Sequence, residues 1–162
     1  MYNYEKRLQY PVNIKIKSPK IAQIVLSQYG GPDGESAAAM RYMSQKITMK
    51  NPKVAGLIND IAVEELGHLE MVGSIVSQLV KDLPCDDIDL AGFEKYYVDH
   101  TLGVWPQSAG GVPFSATTFQ SCGDPIADLI EDMAAEQKAR KTYDNILTLV
   151  KESDVREPIK FL

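Results

Sequence analysis

Cysteine is scarce in this 162-residue chain: Cys85 and Cys122 stand 37 positions apart, outside any C-x-x-C pair. They read as free thiols of a reducing compartment rather than as a disulfide scaffold. Positive charge is also in short supply, with 17 Lys and Arg against 22 Asp and Glu and a net charge of -5. A phosphate-backbone binder shows the opposite balance, so nucleic acid is excluded as an expected partner. No apolar run approaches the roughly 18–20 residues that span a bilayer, so no membrane segment is expected. The opening MYNYEKRLQYPVNIKIK lacks the apolar stretch of a secretory leader, which points to the cytoplasm. There is no P-loop, no G-x-G-x-x-G after a strand and no G-x-S-x-G, and neither an internal repeat nor a low-complexity tract. Nine prolines and eleven glycines are too few for a collagen-like or disordered chain. What is there, 44% apolar and 24% charged residues, fits one globular domain over residues 1–162.

Three long helical patterns are punctuated by the same signal, a capping residue followed by proline. Ser18-Pro19 opens the first helical region, residues 17–50; Gly30-Gly31-Pro32-Asp33-Gly34 breaks it, and it resumes at Glu35 to about Met49. Asn51-Pro52 opens a second helix over 52–82, and Asp124-Pro125 a third over 124–151. Residues 83–123 are an irregular crossover of a length that tends to be functional or interfacial. A short helix at Leu90–Tyr97, a tight turn at Gly110–Ser115 and an extended arm or short strand at QYPVNIKIK are expected around these. His100 falls in the irregular stretch and reads as a surface or interface residue.

Chemistry enters where polar residues interrupt apolar stripes. On the second helix Val54, Leu57, Ile58 and Ile61 lead to Glu65 and His68, and then to Val72, Ile75, Val76 and Leu79. Steps of three and four put Glu65 and His68 on the buried seam. A carboxylate there costs several kcal/mol unless a positive charge compensates it. The third helix repeats the anomaly: Ile126, Leu129, Met133, Glu136, Arg140, Tyr143, Leu147 and Val150 form one stripe. In the first region Glu35, Ala38, Ala39, Tyr42 and Met49 share a side, and the Tyr42 hydroxyl is placed to bond a ligand carboxylate. Each feature has an ordinary reading: E-x-x-H is common on helices, Glu136 and Arg140 fit an i,i+4 ion pair, and Tyr42 fits core filling. Their order weighs against coincidence. Glu, then E-x-x-H, then a crossover, then Glu is the ligand order of ferritin-like dimetal bundles, short only of a last E-x-x-H.

In combination, these segments resemble the manganese catalase family. The resemblance is carried by Gln28-Tyr-Gly-Gly-Pro-Asp-Gly-Glu35 with Arg41-Tyr42, by Ile61-Ala-Val-Glu-Glu-Leu-Gly-His68, by Gly111-Val-Pro-Phe, and by Gly123-Asp-Pro-Ile with Ala134-Ala-Glu136-Gln-Lys-Ala-Arg140-Lys-Thr-Tyr143. The short N-terminus, Tyr4-Glu-Lys-Arg-Leu-Gln-Tyr-Pro-Val, looks closest to its spore-coat branch. The resemblance implies an all-α, ferritin-like four-helix bundle around two manganese ions that disproportionates hydrogen peroxide to water and oxygen. It further implies a homo-oligomer, commonly a hexamer, and coat proteins as partners. Glu35, Glu65, His68 and Glu136 would be metal ligands, Glu65 and Glu136 bridging, with Tyr42 and Arg140 beside them. Carboxylates and imidazole suit iron as well as manganese.

One departure stands out. The family's fourth helix carries a second E-x-x-H and a nearby acid/base glutamate, expected here beyond Leu162. Glu157-Pro-Ile-Lys160 has that spacing but lysine in place of histidine. The fourth helix is therefore expected to be largely missing, either from a fragment or from a protein that has lost it, and no catalytic acid/base residue is identified. Three readings follow: a manganese catalase, a coat protein that keeps the fold without turnover, and a di-iron relative.

Overall fold

Each of the three cap-plus-proline signals starts a helix in the computed structural model, which describes residues 4–89 and 92–162. Ser18 Oγ accepts the Ile21 N–H at the start of α1 (Pro19–Gly30), and Asn51 Oδ1 accepts that of Lys53 at the start of α3 (Pro52–Val80). Asp124 Oδ1 accepts from Ile126 and Ala127 at the last of them, Pro125–Leu149. Each side chain satisfies donors that the first turn leaves unpaired.

Between α1 and α3 lies α2 (Glu35–Gln45). The break before it has a packing cause. At Gly30 an added Cβ would sit 2.2 Å from the Gln107 backbone nitrogen, so only glycine admits the crossover this closely. Glu35 consequently becomes the first residue of α2, where its carboxylate meets the positive end of the helix dipole. The crossover holds two short helices, α4 (Cys85–Asp89) and α5 (Glu94–His100), and a 3-10 turn at Ala116–Thr118. The expected helix at Leu90–Tyr97 thus appears later in the chain, with Leu90 and Ala91 outside the described residues. The turn at Gly110–Ser115 is found: Gly111 has φ +85° and donates its N–H to Ser108 O at 2.9 Å. Ala109 pins this loop to α1 through Ser27 Oγ at 2.8 Å and Gln23 Nε2 at 3.1 Å.

The long helix Pro125–Leu149 is α6, and α7 (Ser153–Phe161) follows it. Arg156 of α7 donates to the carbonyls of Leu147 and Val150, two of the acceptors that the end of α6 leaves open. The N-terminal arm is extended, and among the described residues no strand forms. Gln78 of α3 holds the arm by accepting from Ile14 N at 2.8 Å and donating to Val12 O at 2.9 Å.

The bundle is all-α. Its larger core joins Ala22, Val25 and Leu26 of α1 to Val72, Ile75, Val76 and Leu79 of α3, and to Tyr143, Ile146, Val155 and Ile159 of the C-terminal helices. A smaller cluster, Ala38, Tyr42, Ile58 and Ala62, fills the space between α2 and α3. The expected seams hold only in part: Leu57 of α3 is 59% exposed, and α6 turns a different face inward. The face of α6 that packs inward carries Asp128, Asp132, Ala135, Tyr143 and Ile146. Ile126 and Met133, expected in the seam, are 72% and 70% exposed. Polar partners on α2 and the crossover take the place of an apolar seam, so hydropathy alone rotates the predicted face.

Candidate metal centre

Three helices deliver the polar residues of the stripes to one cavity of about 330 Å³. The N-terminus of α2 brings Glu35, the middle of α3 brings Glu65 and His68, and α6 brings Glu136. One carboxylate oxygen from each of Glu35 and Glu65 and one ring nitrogen of His68 lie within 4.8 Å of one another. His68 Nδ1 is 3.0 Å from Glu65 Oε2 and 3.8 Å from Glu35 Oε2. Glu136 lines the same cavity but stands outside this tight group, and the Tyr42 hydroxyl donates to it. Both glutamates of the tight group are buried.

Tyr143 is a site residue whose role sequence reasoning missed. It sits on the predicted stripe, and its buried hydroxyl donates to Glu35, as Tyr42 does to Glu136. Burial pushes both phenols well above their ordinary range, so they remain protonated donors at neutral pH. Arg41 was missed as well. It lines the cavity, carries its Nε 3.0 Å from Glu131 Oε2, and stacks over the Phe119 ring at 5.5 Å. The spacing Ala37, Arg41, Gln45 was the available signal, a buried face in which polar side chains replace apolar ones.

Arg140 behaves differently from its place on the stripe. It stands at the cavity rim and turns outward to Asp144 at 3.0 Å and Gln137 at 3.1 Å, not to Glu136. Glu157 and Lys160 pair with each other at 2.6 Å, with the lysine at the rim. His100 stacks on Trp105, ring centroids 5.0 Å apart, away from the cavity, and both cysteines are exposed and free.

Burial and mutual repulsion redistribute the protons of the cluster. Burial, reinforced by the neighbouring Glu65 carboxylate, drives Glu35 well above the ordinary carboxylate range. Burial also raises Glu136, against the hydrogen bond from Tyr42. Glu65 feels the same desolvation, but its bonds to His68 and Glu35 outweigh it and hold it low. Burial works against a protonated His68, and Glu65 together with the other acids overrides it and raises the imidazole. Three carboxylates and one imidazole thus compete for protons in a confined space. Hard oxygen donors plus one imidazole nitrogen match manganese(II) or iron(II), and a divalent ion would replace the protons that the acids now share. The donor set therefore fits a metal centre.

Comparison with known proteins agrees. The profile of the family described as manganese-containing catalase matches residues 1–162. Protein CotJC of Bacillus subtilis (strain 168) is 45% identical over 162 residues, all of this chain and 85% of that protein. A probable manganese catalase of Clostridium acetobutylicum is 30% identical over 164 residues, covering all of this chain and 73% of its own length. The crystal structure of wild-type KatB, a manganese catalase from Anabaena, matches with a TM-score of 0.90 at 29% identity, over 99% of this chain and 72% of that one. With profile, sequence and ferritin-like bundle agreeing along the whole chain, the protein belongs to the manganese-containing catalase family.

Proposed function

We propose that the protein disproportionates hydrogen peroxide to water and oxygen at a dinuclear manganese centre and is associated with the spore coat. The observation that carries the activity is the convergence of Glu35, Glu65 and His68 within 4.8 Å in a buried cavity. Glu35, Glu65, His68 and Glu136 would hold the metal ions. Two bound manganese ions would supply the two-electron redox capacity that oxidises one peroxide to oxygen and reduces the next to two waters. The chain's own residues orient this chemistry. Tyr143 fixes the direction of the Glu35 carboxylate, and Tyr42 that of Glu136, each through a phenol that stays protonated. Burial limits water around the carboxylates and strengthens every interaction among them. Coat association rests on the resemblance of residues 4–12 to the spore-coat branch.

The test is oxygen evolution from added peroxide after loading with manganese(II). Release that disappears in Glu65→Gln and in His68→Ala supports the reading, and release unchanged in both contradicts it. A second reading, a coat component without turnover, is favoured by the exposed apolar residues Ile126, Ile130 and Met133 on one flank of α6. Assembly of metal-free protein without oxygen release would decide for it. Bound iron with no oxygen release would point to the di-iron relative.

A further inference from the structure

Three cationic side chains stand in the cavity wall, and they are not equivalent. Arg140 and Lys160 are half-exposed and already paired with Asp144 and Glu157. Arg41 is 1% exposed. Its Nε faces Glu131 at 3.0 Å as a charge contact without hydrogen-bond geometry, and its Nη1 is buried with no partner. The ring of Phe119 lies over the guanidinium and fixes its plane. A guanidinium stays protonated at any physiological pH and offers five donors in a rigid fork. Leaving such donors buried and unmade is costly, so a group held this way marks a place for an acceptor. Its contact with Glu131 of α6 sets Arg41 on the α6 side of the cavity.

We infer that Arg41 is an anion-binding residue of the cavity, donating through its unpaired N–H groups to a small anion of the hydroperoxide, azide or hydroxide type. The inference rests on the proposed metal centre, because three carboxylates repel an anion until cations occupy the site. Arg41 then selects for a compact, negatively charged ligand and orients it within the cavity that Glu35, Glu65 and His68 also line.

The experiment titrates sodium azide into manganese-loaded protein and reads the dissociation constant from the optical or paramagnetic spectrum, with manganese content measured alongside. Arg41→Met leaves Glu131 without its counter-charge, so the paired variant Arg41→Met/Glu131→Gln is measured as well. Loss of a charge-assisted bond weakens azide by about tenfold or more at unchanged manganese content, and Arg41→Lys gives an intermediate value. The same variants raise KM for peroxide more than they lower kcat. An azide constant within about twofold of the parent in the paired variant overturns the inference. Loss of manganese from that variant also overturns it, since Arg41 would then support the site rather than bind the anion. A parent protein that takes up no manganese fails the underlying reading and this inference with it, and the metal analysis separates that case from the others.

Discussion

Where α3 ends, Val72, Ile75, Val76 and Leu79 meet Leu26, Tyr143, Val150 and Ile159 in an interior that is almost wholly apolar. Where α3 begins, Ala38, Tyr42, Ile58 and Ala62 share the space with buried Arg41, Gln45, Asp128 and Asp132. The first region holds the bundle together by removing hydrocarbon from water. The second spends part of that stability on buried polar groups, not all of them satisfied: Gln45 Oε1 and Asp132 Oδ2 have no partner. The candidate metal centre lies between the two, where a rigid apolar end fixes α3 and a polar end aims acids across at it. A site of competing carboxylates is tolerable only beside such a core.

The comparison breaks first on core truncation. Ile75→Ala, at the apolar end, is expected to cost about 2–5 kcal/mol, while Met133→Ala on the exposed flank of α6 stays within about 0.5 kcal/mol. Urea unfolding of the two variants checks this, and equal losses would mean that α6 is covered rather than exposed.

The polar region is sharpened by pH. Glu35, Glu136, Asp132 and His68 all bind protons more tightly in the folded chain than in the unfolded one. For the acids burial leads, and it pushes Asp132 up to about 6. Unfolding therefore releases protons; the acids' contribution falls as pH rises from the ordinary carboxylate range of about 4, and that of His68 as pH rises from the ordinary imidazole range of about 6.5, through the raised values. Glu65, held low, acts the other way and loses its contribution as pH drops below about 4. Metal-free protein should consequently melt higher near pH 5 than near pH 8, and manganese(II) should restore the loss at pH 8. A melting temperature that rises steadily from pH 5 to 8 without metal would contradict this account. Asp132→Asn should flatten the profile in part, because it removes one of the four groups.

Smaller effects come from caps and surface pairs. Asp128 accepts from the backbone of Cys122 at 2.8 Å and Gly123 at 3.1 Å, tying the crossover to α6. Asp128→Ala should cost about 1–3 kcal/mol, the loss of two hydrogen bonds to a buried side chain, measurable in the same unfolding experiment. Arg140→Ala should cost less than about 1 kcal/mol and leave manganese content unchanged, because its ion pair with Asp144 is exposed.

Much of this was legible from residue order. The capped helix starts at Ser18, Asn51 and Asp124 read directly, because each pairs a local side-chain acceptor with a proline that the first turn tolerates. The pairing of Glu65 with His68 was legible too, since E-x-x-H spacing puts both on one helix face, while Glu35 was tied to them only by the ligand order of dimetal bundles. The inward face of α6 was not: Asp128 and Asp132 are buried because Gln45 and the crossover backbone bond them, partners that periodicity does not see. For the same reason Arg140 read as a seam residue, while Arg41 and Tyr143 went unrecognised until Glu131, Phe119 and Glu35 were placed around them.

The central claim is that these competing acids form a metal centre, and manganese content tests it most directly. Protein equilibrated with manganese(II), dialysed and measured by elemental analysis should retain about two ions per chain, the complement of a carboxylate-bridged dimetal bundle. Glu65→Gln should lose them while keeping its helical signal. A parent protein that retains none, or a Glu65→Gln variant that retains as much as the parent, would contradict the account.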